Sequence, residues 1–210
     1  MKKLFTIFTF AALTMATSEV SAQAFTKESK QISIGLGGAN MLHFGTWDRN
    51  VYGYYGTAFS PITGQLSVQG EFGVHKYVGV GFNVGIGGRA RSSYVVGPYG
   101  VTGWGYASEF NIPLGAIANF HFYQLIADKT GKGGKMHSDK LDIYAGLNLG
   151  TGVAIHPADP YYFGNTTQVS ALFWVGPQVG INYFFTPKLG VKGEFGYGKT
   201  WVNAGLVFNL

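Results

Sequence analysis

Six ionisable residues interrupt otherwise apolar, glycine-rich stretches: Glu71, Arg89, Glu109, Asp142, Lys192 and Glu194. Each falls on the polar side of an alternating segment. A charge enclosed in a narrow space must be paired or hydrated. Such a set does one of two things. It forms a salt-bridge network that fills the interior, or it forms a gate or selectivity ring in a small channel. The first is favoured, because narrow barrel interiors are packed with side chains.

Other candidate chemistry is thinner. Gly193-Glu194-Phe195-Gly196-Tyr197-Gly198-Lys199-Thr200 satisfies the spacing of a phosphate loop. That chemistry needs backbone amides curled round a phosphate and a helix after the lysine. Here alternating segments flank the motif on both sides. His43, His75, His121, His137 and His156 form no i, i+4 pair and no metal-spaced cluster. A lone histidine near a strand end reads as a polar interfacial residue. His137-Ser138-Asp139 brings together the residue types of nucleophilic hydrolysis. Adjacent residues rarely supply that geometry, because folding assembles it from separate elements. No cofactor or metal site is expected. With no cysteine, disulfides, thiolate metal sites and cysteine nucleophiles are excluded.

The elements that must carry these residues show a period of two. Leu66, Val68, Phe72 and Val74 interleave with Gln65, Ser67, Gln69, Glu71 and Gly73. Val78 to Ile86 and Val191 to Tyr197 repeat the pattern. Successive strand side chains point to opposite faces, so each segment has one apolar and one polar face. The polar faces are mostly small residues. They make a poor solvent surface and a good narrow lumen. Charged residues are 12% of the chain, against about 25% in ordinary globular domains. That is too little to cover a soluble exterior and enough for a lipid-facing one.

The pattern predicts an all-β fold, an eight-stranded antiparallel transmembrane barrel of the outer membrane. The strands are expected at about 31–42, 64–74, 77–88, 106–123, 140–155, 169–185, 188–197 and 200–208. Pro113 and Pro177 fall inside strands and are expected to mark bulges. Short links at His75-Lys76 and Thr186-Pro187-Lys188 alternate with longer ones, which puts both termini on the periplasmic side. Two links break the rule: Gln124 to Asp139 is long where a short turn is expected, and the final external link around Gly198-Lys199 is very short. Trp47, Tyr52, Tyr94, Trp104 and Tyr161 suit an external aromatic girdle, and Tyr77, Tyr123, Phe184, Phe185 and Phe208 a periplasmic one.

The start of the chain reads as a signal peptide. Lys2 and Lys3 precede an apolar stretch from Leu4 to Met15, too short to span a bilayer. Ala22-Gln23-Ala24 offers a cleavage site, so residues 1–24 are assigned to the leader and 25–210 to the barrel domain. Removing the leader takes Lys2, Lys3 and Glu19, leaving 13 basic and 9 acidic residues and a formal charge of +4. Export, and the lack of a basic stripe with stacking aromatics, argue against nucleic acid as a partner.

The last stretch, "TPKLGVKGEFGYGKTWVNAGLVFNL", joins a turn, an alternating strand, a tight hairpin and an amphipathic final strand. In this it resembles the small outer-membrane barrels of Gram-negative bacteria, of the porin-like and outer-membrane-protein-A-like type. The likeness covers residues 31–210. It implies insertion by the barrel-assembly machinery through the last strand, with Val202, Ala204, Leu206 and Phe208 as its apolar face. This chain departs by ending in Asn209-Leu210 after the aromatic. Barrels of this type include anchors, adhesins, narrow channels and lipid-modifying enzymes. The His-x-Ser-Asn stretch of the acyl-chain-modifying enzymes is missing. The expectation is a non-enzymatic, monomeric barrel among outer-membrane lipids, with a structural or surface-interaction role. A narrow porin-like channel for small solutes or ions is the alternative, and a lipid-modifying enzyme stands third.

Overall fold

Alternation closes into a ring. In a computed structural model that describes residues 24–40, 59–96, 102–157, 166–196 and 200–210, eight strands pair in chain order, and the first pairs with the last. They are β1 (Lys30–Asn40), β2 (Phe59–His75), β3 (Val78–Val96), β4 (Thr102–Phe120), β5 (Leu141–His156), β6 (Gln168–Phe184), β7 (Leu189–Gly196) and β8 (Thr200–Asn209). Every pairing is antiparallel. Each strand therefore has a hydrogen-bonded neighbour on both sides, a requirement for β-structure in hydrocarbon.

The two faces separate as the alternation predicts. Leu36, Leu66, Leu149, Phe173 and Val175 point outward and are exposed. Gln65, Ser67, Asn83, Asn111 and Asn148 point inward and are buried. A soluble barrel would have these faces reversed, so the chain is a transmembrane barrel of the outer-membrane kind. Extraction from membranes is expected to require detergent, and the folded band should shift on a gel after boiling. Recovery as a soluble periplasmic monomer would overturn the architecture.

Both prolines sit in unbroken register. Pro177 pairs opposite Leu147 within a continuous β5–β6 ladder. Across Pro113, β3–β4 pairing skips Gly85 and Ile86 and resumes in the same register, while Pro113 stays opposite Gly152 of β5. The expected bulges are therefore corrected. A skipped pair relieves the missing donor without an inserted residue. Register shifts occur in β2 instead, between Phe59 and Ile62 and between Gly73 and His75.

The link expected as a long turn is a cap. It holds helix α1 (Phe122–Thr130) and the short helix α2 (Gly133–Met136). Gly131 ends α1 with φ of 62°, in the left-handed region that glycine enters at little cost. The Gln124 amide donates to the carbonyls of Ser138 and Leu141, and the Tyr123 hydroxyl to that of Met136. Tyr123 thus belongs to the cap. Phe184, expected in the periplasmic girdle, points inward and is buried, because its parity matches Asn182 and Gly180. Phe185 faces out. Trp47, Tyr52 and Tyr161 lie outside the described residues, as does the leader up to Gln23.

Candidate functional site: the charged lumen

Five of the six predicted lumen residues are buried inside the barrel: Glu71, Glu109, Asp142, Lys192 and Glu194. Arg89 lies in β3 with its backbone opposite Glu109, and its side chain is outside the described residues. The five divide between two ends.

At the end carrying the cap, the hub is His121, the residue just past β4. It is fully buried. Its Nε2 lies 2.9 Å from Glu71 Oε1, and its Nδ1 lies 2.9 Å from both oxygens of Asp142. With a carboxylate at each nitrogen, the ring is held as an imidazolium that donates on both sides. Burial opposes that charge most strongly. The hydrogen bonds to Asp142 and Glu71 outweigh it and raise the pKa from the ordinary 6.5 to about 9. Asn182 Nδ2 donates to Asp142 at 3.2 Å. Phe25 stacks on the His121 ring, with centroids 3.4 Å apart and planes 9° apart.

Beside this hub sits a second group. Lys192 Nζ pairs with Glu194 Oε2 at 3.1 Å, and the Tyr144 hydroxyl donates to the same oxygen at 2.9 Å. The Lys192 ammonium also lies 5.5 Å from the centre of the Tyr144 ring. Tyr144 needs Gly180 beneath it, since a Cβ there would overlap the phenol ring. Position counting from the turns pairs Lys192 with Glu71 or Asp142, and the structure corrects this. Lys192 and Glu71 line one small cavity, but His121 already engages Glu71. Glu194 is two residues along the same strand face, within easy reach of a lysine.

The N-terminal segment completes this end. Ala24, which the sequence reading assigns to the end of the leader, is buried here against Phe184 and Val207. Its amide donates to the Ser138 carbonyl at 3.2 Å, and its carbonyl accepts from Gln31 Nε2 at 2.9 Å. The cavity bounded by Gln31, Gln69, Glu71, Asn182 and Lys192 measures about 10 Å³, room for roughly one water.

Toward the other end, His156 Nδ1 stands 3.7 Å from Glu109 Oε2, and Asn111 Nδ2 donates to Glu109 Oε1 at 3.3 Å. Above the middle, Ala154, Leu172 and Trp174 form an apolar patch inside the lumen. Sequence reasoning missed His121, Tyr144 and Phe25. Parity held the signal for the first two. His121 continues the inward series Asn111, Pro113, Gly115, Ile117 and Asn119, and Tyr144 follows Asp142.

The phosphate-loop spacing lies on strands, with Gly193 to Gly196 in β7 and Thr200 opening β8. A nucleotide site has no helix there to use. Among the described residues, no group of three potential metal ligands comes together.

Comparison with solved structures finds other small barrels. The attachment invasion locus protein Ail of Yersinia pestis, in complex with the heparin analogue sucrose octasulfate, aligns over 87% of this chain and 96% of its own, at 13% identity and a TM-score of 0.38. The outer membrane protein OprG of Pseudomonas aeruginosa aligns over 90% and 95%, at 11% identity and a TM-score of 0.49. No protein-family model matches the chain, and no curated protein matches it in sequence.

Proposed function

We propose that this chain is a non-enzymatic outer-membrane barrel with a closed lumen that holds a tall β-ribbon outside the cell for surface interaction. The observation that carries this reading is the β3–β4 ladder. It is paired from Val78 opposite Phe120 up to Val96 opposite Thr102, and each strand has 19 residues. Crossing a bilayer takes a tilted strand about 9–11 residues. Roughly half the ribbon therefore stands beyond the membrane. β7 and β8, with 8 and 10 residues, barely cross it.

Orientation follows from the links. The end with the tight His75–Lys76 turn and the termini is periplasmic, so the ribbon is external. Export would use the leader. Insertion would use β8, whose Val202, Ala204 and Leu206 face outward. Cysteine placed at Ser93 should react with an impermeant maleimide on intact cells, and cysteine at Lys135 should not. The reverse labelling would invert the barrel and end the surface reading.

A narrow channel is the second reading. It is favoured by the middle of the lumen, where buried amide atoms of Gln65 and Asn83 have no protein hydrogen-bond partner, a setting that suits water. The packed mouth around Phe25, His121 and Tyr144 weighs against it. In planar bilayers the purified protein is expected to give no discrete conductance steps. Reproducible steps would favour the channel.

A further inference from the structure

Among the described residues, exposed positive charge gathers on the capped end. Lys30 opens β1, Lys76 sits in the β2–β3 turn, and Lys140 and Lys188 precede β5 and β7, so they circle the rim. Lys129, Lys132 and Lys135 project from the cap. With Lys27, this end exposes eight lysines among the described residues, against the acids Glu28, Asp128 and Asp139. Asp128 is spent locally. It pairs with Lys76 at 2.8 Å and accepts from the Tyr77 hydroxyl at 2.9 Å.

The lysines stand next to apolar surface. Phe72, Phe120, Tyr183 and Phe185 are outward and exposed at the same strand ends. On α1, Phe122, Ile126 and Lys129 follow at i, i+4 and i+7 and share one face. Ile126 is 46% exposed. Helices that lie in the headgroup layer show this combination of exposed aliphatic and lysine. A carboxylate-bearing cell-wall polymer would match the lysines but leave Ile126 in water.

We infer that the lysine collar and helix α1 bind anionic glycerophospholipid headgroups of the periplasmic leaflet, with α1 laid into the interface. The inference rests on the periplasmic orientation proposed above. Acidic headgroups gather at clustered lysines, and the attraction fades over a Debye length, about 10 Å at 0.1 M salt and 3 Å at 1 M. The collar thus selects its own lipid shell.

The test uses the full protein in phosphatidylcholine vesicles doped with spin-labelled phosphatidylglycerol or spin-labelled phosphatidylcholine. The immobilised fraction is expected to favour phosphatidylglycerol several-fold at low salt. That preference should fall to near unity at 1 M salt. It should also fall to near unity in the Lys129→Gln, Lys132→Gln, Lys135→Gln, Lys140→Gln variant, with folding checked by the gel shift. Equal association of both lipids with the wild type overturns the inference. So does a preference that the variant retains. Salt-sensitive sedimentation with purified peptidoglycan, without lipid preference, assigns the collar to the cell wall instead. External labelling of cysteine at Lys135 in intact cells means the orientation has failed, and lipid preference in vesicles then shows the charge reading surviving on the other leaflet.

Discussion

His121→Ala is expected to destabilise the folded barrel by about 3–5 kcal/mol, the cost of leaving buried charges uncompensated. The variant strips Glu71 and Asp142 of their shared partner and removes the platform under Phe25. Urea unfolding in detergent micelles reads the effect. Replacing the cluster with neutral groups of similar shape, through His121→Gln, Glu71→Gln and Asp142→Asn together, should recover much of the loss. A His121→Ala cost below about 1 kcal/mol would mean that water, not the imidazolium, compensates the carboxylates. The cluster also sets a pH limit. His121 lies beyond the last residue of β4, and its folded pKa of about 9 is above the unfolded 6.5. Its stabilisation is fully present below pH 6.5 and is lost as pH rises through about 9. The wild type should weaken across that alkaline window, and the neutral triple variant should not.

Leu149→Arg is the second large effect. Leu149 is exposed at the centre of β5, opposite Ala116 of β4 and Val175 of β6, on the band that faces lipid. An arginine near the bilayer midplane of a barrel costs about 2–4 kcal/mol, and much less near the interfaces. Folding equilibria in lipid vesicles should show that loss, and Val169→Arg, near the first residue of β6, should show less. Equal, small effects at both sites would mean that this face does not meet hydrocarbon.

The barrel was legible in the sequence wherever a two-residue apolar period runs, and hidden where that period stops. β3 was expected to stop near residue 88, yet its ladder runs to Val96. From Arg89 to Tyr94 polar residues occupy both parities, the composition expected of the ribbon proposed to stand outside the membrane. The cap was hidden for the opposite reason. Alternation runs on through His121 and Tyr123, so strand four seemed to continue where α1 begins. Inward position was legible for Glu71, Asp142, Lys192 and Glu194, since parity alone decides it. Their partners were not. Which side chains meet across a lumen depends on strand tilt and stagger, which residue counts from the turns do not contain. The stacking of Phe25 depends on a segment with no period at all.

The seat of Phe25 has a consequence for the order of folding. Its floor is the His121 ring at the β4 exit, which Glu71 of β2 and Asp142 of β5 hold in place, and Ala24 beside it packs on Phe184 of β6 and Val207 of β8. β8 is the last strand made, and its pairing with β1 joins the two extremes of the chain. Contacts of such long sequence separation form slowly. The seat therefore does not exist until the ring has closed, although Phe25 precedes every strand of the barrel. The segment comes before the strands in the chain and docks after them. Refolding should show two kinetic events: closure, followed by the gel shift, and a later burial of Phe25. A Phe25→Trp reporter would resolve the second.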